Sequence, residues 1–267
     1  MKSFTKTLFA LCLGSVAAFA QAPTVTPGGV GNAAGVASST AVAPGSLVSI
    51  YGSNLAGALT SATSIPLSTN LDNVTVTFNK IAAPLLFVFG SQINAQVPFE
   101  LANASSADVV VTSNGQSSAP VTIQLAPAVP GIFDFPQFSG YAVAYGNLDG
   151  AFAAPSGTIP GYTCHPAKIS DPQTLVVLTT GLGAVSPAIP SGGIMSAAPG
   201  YTSTVTTPTV TIGGVPAQVV FSGIVSFVGV YQINVIVQPG TPTGNSIPVV
   251  VSMNGVNSNA APIAVSN

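Results

Sequence analysis

The sequence predicts an all-β chain made of two tandem β-sandwich domains related by internal duplication. Three observations support this fold class. Apolar residues alternate along short runs, Gly and Pro interrupt those runs too often for long helices, and the same pattern of runs occurs twice. A repeat of about 130 residues is a domain rather than a solenoid unit. Short alternating strands with regular turn signals are typical of sandwiches.

A first hairpin shows the repeat most clearly. Residues 76–87 (VTFNKIAAPLLF) align without gaps with residues 210–221 (VTIGGVPAQVVF). The predicted turns are Asn79-Lys80 in the first copy and Gly213-Gly214 in the second. Asn and Gly accept the positive φ of a type I′ turn, whereas Lys fits that turn less well.

Two further segments match, and the spacing between them is the same in both copies. The sequence QIN occurs at residues 92–94 and 232–234, and each copy is followed by a similar Asn-Gly segment, VVVTSNG at 109–115 and VVVSMNG at 249–255. Asn-Gly between two apolar runs is a strong hairpin signal, so we expect a second hairpin in each copy. Upstream, residues 48–55 align with residues 175–182 as a lone strand.

The first twenty residues are typical of a secretory signal peptide. Lys2 and Lys6 precede an apolar stretch from Leu8 to Phe19, and Ala18-Phe19-Ala20 is a small-x-small cleavage site. We therefore expect secretion with cleavage near Ala20, and no membrane span, because the apolar run is too short. The predicted organisation is a signal peptide at 1–20, a first sandwich at 21–130, a connecting segment at 131–170 containing the first strand of the second domain, and a second sandwich at 171–267.

Charged side chains are scarce, at 4% of the sequence. The predicted mature chain keeps two cationic residues against six carboxylates, a formal charge of −4; these are Lys80, Lys168, Asp72, Glu100, Asp108, Asp134, Asp149 and Asp171. Clustered Lys and Arg are what binds phosphate, so nucleic acid is not an expected partner.

The mature chain offers little for catalysis or metal binding. Cys164 and His165 are adjacent, and neighbours on a strand point to opposite faces, so a Cys-His dyad is disfavoured. We expect no zinc site, no cofactor and no catalytic residue, because the usual ligand sets and motifs are missing. The Asn147-Leu-Asp149-Gly150 segment predicts a turn rather than a calcium loop. A lone Cys164 leaves an intermolecular thiol link open.

Aromatic residues cluster in the connecting segment. They are candidates for contacting a ligand such as a sugar or a protein surface, and the alternative is that they seal the interdomain junction. The candidates are Phe133, Phe135, Phe138, Tyr141, Tyr145, Phe152 and Tyr162.

Four segments carry a resemblance to a known family. They are residues 28–34 (GGVGNAA), 42–55 (VAPGSLVSIYGSNL), 180–183 (TGLG) and 231–235 (YQINV). With these segments, the mature chain resembles a family of acidobacterial secreted C-terminal domains, itself similar to the immunoglobulin-like IPT/TIG domains. The resemblance implies an immunoglobulin-like fold and export. It supplies no activity and no site residues, because fold does not determine function.

Three hypotheses about function follow. The first is a secreted, non-catalytic interaction module of the extracellular space or cell envelope, which binds a protein or polysaccharide or acts as a spacer. The second is a structural envelope protein that associates with copies of itself through Val-rich strand edges. The third is an extracellular hydrolase, which would depend on Glu100, Asp134, Asp149 or His165.

Overall fold

The computed structural model describes residues 21–267 except 36–39, 136, 138–139 and 196–199, and the predicted signal peptide lies outside this range. The predicted fold class is confirmed. Within the described residues the chain forms 24 strands and one 3₁₀ turn, Phe99–Leu101. These strands form two tandem immunoglobulin-like sandwiches, each with its own apolar core.

The first sandwich packs two sheets face to face. One sheet has the order β1-β2-β7-β6-β3, and the other has the order β10-β8-β4-β5 with β9 paired to β8. Alternation buries one face of each strand; Val74, Val76 and Phe78 of β4 point inwards while Thr75 and Thr77 are only partly buried. The strands are β1 (Thr24–Asn32), β2 (Leu47–Ser53), β3 (Thr60–Ser61), β4 (Val74–Phe78), β5 (Ile81–Ala82), β6 (Leu85–Phe89), β7 (Gln92–Gln96), β8 (Ser106–Ser113), β9 (Gln116–Ser117) and β10 (Val121–Gln124).

The second sandwich repeats this plan with a longer central strand. Its strands are β11 (Gly131–Ile132), β12 (Asp134–Phe135), β13 (Tyr141–Ala142), β14 (Ala144–Gly146), β15 (Ala167–Lys168), β16 (Leu175–Thr180), β17 (Val185–Ser186), β18 (Thr202–Thr204), β19 (Thr209–Ile212), β20 (Val215–Ile224), β21 (Tyr231–Ile236), β22 (Gly244–Met253), β23 (Val256–Asn257) and β24 (Ala261–Ser266). The sheet order is β11-β16-β21-β20-β19-β22-β24-β15, and β20 belongs to both layers because it pairs with β21 and with β19.

Strand register shows the duplication directly. In β2 and β7, Val48 pairs with Ala95 and Ile50 pairs with Ile93. The aligned pairs in β16 and β21 are Leu175 with Val235, and Val177 with Ile233. A slip of one residue would turn every buried side chain to the other face, so the shared register follows from the shared apolar pattern.

The predicted hairpin turns are confirmed, including the one that contains Lys80. Asn79 and Lys80 have φ values of 49° and 67°, and Gly213 and Gly214 have values of 60° and 82°. Asn79 stabilises its turn through its side chain, since Oδ1 accepts from Asp108 N and Nδ2 donates to Ser106 O. Lysine is thus held in a left-handed conformation by its neighbours, although it has no preference for that conformation itself.

A polar network joins the two sandwiches. Gly192 N–H donates to Gln96 Oε1 over 2.6 Å, and Leu47 N–H donates to Thr180 Oγ1 over 2.9 Å. Ser191 Oγ accepts from Phe99 N–H and donates to Glu100. Gln96 and Thr180 are fully buried, so water cannot replace these partners.

Close packing accompanies this network. The Phe99 ring, from the end of the first sandwich, packs against the core of the second. It lies so close to Gly45 that a Cβ there would be 2.1 Å from the ring, and a Cβ at Gly229 would be 2.8 Å from Leu47 Cγ. The interdomain junction therefore has a specific, close-packed geometry rather than that of a flexible linker.

Candidate functional site

The second sandwich carries an elaboration that the first lacks. In the first sandwich β1 pairs with β2 on both sides of a bulge, and residues 26–29 lie between the paired residues Val25 and Val30. The aligned bulge in the second sandwich lies between Ile132 of β11 and Ala144 of β14, and its described residues are 133–135, 137 and 140–143. A long segment that includes β15 then leads from β14 to β16. We call the described residues between 133 and 174 the extension.

Three aromatic rings surround Phe152 within the extension. The centroid of Phe152 lies 5.2 Å from that of Phe135, 5.8 Å from that of Tyr145 and 5.1 Å from that of Tyr162, all in edge-to-face geometry. Such contacts contribute about 0.5–1.5 kcal/mol each beyond the burial of area. We call these four rings the aromatic cluster, in which Phe152 contacts each of the other three.

The remaining aromatic candidates have different environments. Tyr141 is buried, and its hydroxyl donates to Asn245 O over 2.6 Å. Phe133 is partly buried in the bulge, where its backbone bonds to Leu178 and Val143. Phe138 lies outside the described residues. Tyr162 is the candidate most open to solvent in the described part of the chain, with 59% of its surface exposed.

The ring contacts found for Phe135, Tyr145, Phe152 and Tyr162 do not favour the alternative that the aromatic candidates seal the interdomain junction. Phe152 makes the ring contacts with Phe135, Tyr145 and Tyr162, and Phe135 and Phe152 also pack on a small cluster of the second sandwich. The junction contacts described above come from the Gln96, Thr180 and Ser191 groups and from the Phe99 ring. The extension begins at a bulge in an edge strand of the second sandwich, where β11 and β14 both pair with β16.

Cys164 and His165 point in different directions, as neighbours on extended chain do. Cys164 is 7% exposed and packs with Tyr141, Ala154 and Ile159. Its sulfur contacts the Tyr162 carbonyl oxygen at 3.7 Å. A disulfide between two chains would require this region to open, so the intermolecular thiol stays a prediction without support from the position of the sulfur.

His165 forms an ion pair with Asp149 that the sequence did not reveal. The distance from His165 Nε2 to Asp149 Oδ2 is 2.9 Å, and His165 Nδ1 lies 3.1 Å from Pro166 O. A carboxylate and a carbonyl both accept hydrogen bonds, so the protonated imidazolium satisfies both contacts. These bonds, to Pro166 first and then to Asp149, raise the pKa of His165, while Lys168 and burial oppose the rise.

Asp149 lies within a turn whose backbone bonds to its carboxylate. Its Oδ1 accepts from Ala151 N–H over 3.0 Å, and Gly150 N–H closes the turn onto Gly146 O. The hydrogen bond from Ala151 N–H, followed by those with the His165 and Gln173 side chains, lowers the pKa of Asp149. The predicted turn at Asn147–Gly150 is confirmed.

The other acidic residues stand apart from this pair. Glu100 belongs to the interdomain junction, where it accepts from Ser191. Asp134 lies on β12, where burial raises its pKa. Across the described ranges, no three His, Cys, Asp or Glu side chains are grouped so as to hold a metal ion, and no helix there is long and apolar enough to cross a membrane.

Comparison with known families gives one match. Residues 36–125, within the first sandwich, match the IPT/TIG domain model. The match supports the predicted similarity to immunoglobulin-like IPT/TIG domains, while the likeness to the acidobacterial family stays a prediction. No curated protein sequence matches the chain.

Several solved structures match the chain with low sequence identity and low TM-scores. The full extracellular region of plexin A4 is 10% identical with a TM-score of 0.25, and the match covers 94% of this chain and 19% of the plexin chain. Domains 5–6 of the S-layer protein SbsC are 12% identical with a TM-score of 0.23, covering 92% and 99%. The I9–I11 tandem of titin is 10% identical with a TM-score of 0.19, covering 84% and 62%. The chain thus spans about a fifth of the plexin chain.

Proposed function

We propose that the chain is an exported, non-catalytic recognition module whose binding surface is the extension of the second sandwich. The observation that carries this proposal is the difference between the two copies. Both sandwiches have the same strand registers, but only the second devotes residues 133–174 to a cluster of rings, one of them well exposed, beside an ion pair. Loops held by a rigid sandwich are a common place for binding residues.

The aromatic cluster suits recognition for physical reasons. Tyr162 offers an exposed ring that its edge-to-face contact with Phe152 restrains, which reduces the conformational entropy lost on binding. A tyrosine also combines an apolar face with a polar hydroxyl, as surfaces that bind proteins or neutral sugars require. An extracellular protein or a polysaccharide is therefore the expected class of partner, and nucleic acid is not.

The test is co-sedimentation of residues 21–267 with insoluble polysaccharides and with isolated cell envelopes, at low and high salt. We expect pelleting with one of these materials that persists at high salt, because the surface carries few charges. Pelleting with none of them would contradict the proposal and favour a spacer. Turnover of ester, glycoside or peptide substrates, lost in His165→Gln or Asp149→Asn, would support the hydrolase instead.

Self-association is the second candidate, and one observation favours it. Tyr51 and Phe89, both exposed, flank Gln92 on neighbouring strands of the first sandwich. Two such rings on an outer sheet face form a small apolar patch that a second copy could cover. Sedimentation velocity over a wide concentration range tests it: a monomer at high concentration counts against this function, and a mass that grows with concentration supports it.

A further inference from the structure

A polar cleft lies beside the Asp149–His165 pair, at one end of the second sandwich. Its volume is about 300 Å³, and its walls include Asp149, His165, Lys168, Asp171 and Gln173. Most of these residues also border an inner cavity of about 20 Å³, whose apolar part is formed by Ala153, Leu175 and Val237. The cleft thus holds two carboxylates, one ammonium group and the only histidine of a chain with very few charges.

Two oxygen atoms at the inner cavity have no hydrogen-bond partner. Gln173 Oε1 and Thr174 Oγ1 are both inaccessible to solvent, and nothing in the described part of the chain bonds to either. An unpaired buried polar group costs about 1–3 kcal/mol. Both residues line a cavity of about 20 Å³, which is large enough for one water molecule or one hydroxyl group.

In the first sandwich, the end that corresponds to this cleft is part of the interdomain junction. The residues aligned with Gln173 and Thr174 are Ser46 and Leu47. Ser46 Oγ donates to Ala43 O, and Leu47 is buried in the interdomain junction with its N–H bonded to Thr180. The same end of the second sandwich has polar side chains and is open to the cleft, so the difference is specific to the second copy.

The chemistry of the cleft favours a ligand that both donates and accepts hydrogen bonds. Gln173 Oε1 is an acceptor without a partner, and the Asp171 carboxylate, which already accepts from the backbone and side chain of Gln173, has further lone pairs. Lys168 is a donor that forms no ion pair within 4.0 Å in the described residues. A phosphate would face two carboxylates with one free ammonium group, since His165 already pairs with Asp149. Sugar hydroxyl groups match this mixture because each can donate to one group and accept from another.

We propose that this cleft binds one sugar unit, with one hydroxyl inserted between Gln173 and Thr174 and a neighbouring hydroxyl between Lys168 and Asp171. The proposal deepens the proposed function and rests on the extension being the recognition surface. The two features are connected through the backbone, because His165 N–H donates to Phe152 O over 3.1 Å. The cleft would select the sugar, and the aromatic cluster would contact what is attached to it.

The experiment is an NMR titration of residues 21–267 with glucose, galactose, mannose and N-acetylglucosamine. We expect at least one sugar to shift the Gln173 side-chain amide and the Thr174 backbone amide. Lys168→Gln and Gln173→Leu should each lower the affinity for that sugar by about tenfold, which corresponds to the loss of one hydrogen bond to a buried or charged group. Gln116→Leu, an exposed position on the first sandwich, is the matched control and should leave the affinity unchanged. Lys168 is exposed, so its variant is expected to fold even if Gln173→Leu does not.

Three results would overturn the site. The first is that no sugar shifts these amides. The second is that inorganic phosphate or Ca²⁺ shifts them at lower concentration than any sugar. The third is polysaccharide pelleting that survives Lys168→Gln and Gln173→Leu but is lost in Tyr162→Ala, which would leave the proposed function standing and place recognition on the aromatic cluster alone.

Discussion

Gln96 of the first sandwich accepts a hydrogen bond from the N–H of Gly192 in the second over 2.6 Å, and the Gln96 side chain is fully buried. The aligned residue in the second copy is Ile236. The amide is therefore not required by the sandwich fold itself. Its bond from Gly192 N–H crosses the interdomain junction, and its bond to Gly45 O holds the amide within the first sandwich.

Replacing Gln96 with Leu should lower the free energy of unfolding by about 1–3 kcal/mol, because Gly192 N–H and Gly45 O would lose their partner without gaining water. Denaturant unfolding followed by tyrosine fluorescence measures this change. Gln116→Leu is the control, since Gln116 is exposed. Equal effects of the two substitutions would show that the Gln96 network contributes nothing.

The Asp149–His165 pair should make stability depend weakly on pH. The raised pKa of His165 means that its contribution is complete below the ordinary histidine value and is lost as pH rises through the raised one. The lowered pKa of Asp149 means that the carboxylate contributes above its ordinary value and loses that contribution as pH falls through the lowered one. The pair is therefore strongest between about pH 4 and pH 6.

His165→Gln should consequently reduce the melting temperature most within that window and less above it. Both side chains are about two-fifths exposed, at 40% and 43%, so the loss should stay below about 1 kcal/mol. Thermal melts of the wild type and the variant at pH 5 and pH 8 provide the comparison. A difference that is larger at pH 8 would contradict the assigned direction of the His165 pKa.

Cys164 should react slowly with a thiol reagent in the folded chain, because it is buried against Ala154 and Ile159. We expect labelling at least about tenfold slower than in denaturant. Ile159→Ala should accelerate it by opening the packing around the sulfur, whereas Ile50→Ala, in the core of the first sandwich, should not. Immediate labelling of the folded chain, or disulfide-linked dimers on a non-reducing gel, would show that the thiol is accessible.

The fold class could be predicted from the sequence because the local strand and turn signals agreed with the internal repeat. Alternation, the Asn-Gly turns and the equal spacing from each QIN segment to the following Asn-Gly segment predict strands that the structure pairs in the same register in both copies. Among the predicted turns, the Asn79-Lys80 turn had the weaker sequence signal, because Lys does not favour a positive φ. It forms because Asn79 bonds to the neighbouring strand, a contact that a turn preference alone does not include.

The candidate site was less accessible to sequence reasoning. Asp149 and His165 are brought together by the path of the extension, and no spacing rule predicts such a contact. The unpaired oxygens of Gln173 and Thr174 depend on the shape of a cavity. The aromatic residues were identified by their density, but their contacts were not, because sequence order cannot distinguish a junction from an elaborated bulge on one sandwich.

The central claim is that the extension is the recognition surface, and matched tyrosine variants test it most directly. Tyr162 and Tyr51 are similarly exposed, at 59% and 50%, but they lie on the extension and on the first sandwich, respectively. Pelleting of the wild type, Tyr162→Ala and Tyr51→Ala with the preferred polysaccharide or envelope material is the decisive comparison. We predict that Tyr162→Ala loses most of its binding while Tyr51→Ala binds like the wild type; undiminished pelleting of Tyr162→Ala, or its loss in Tyr51→Ala alone, would contradict the claim.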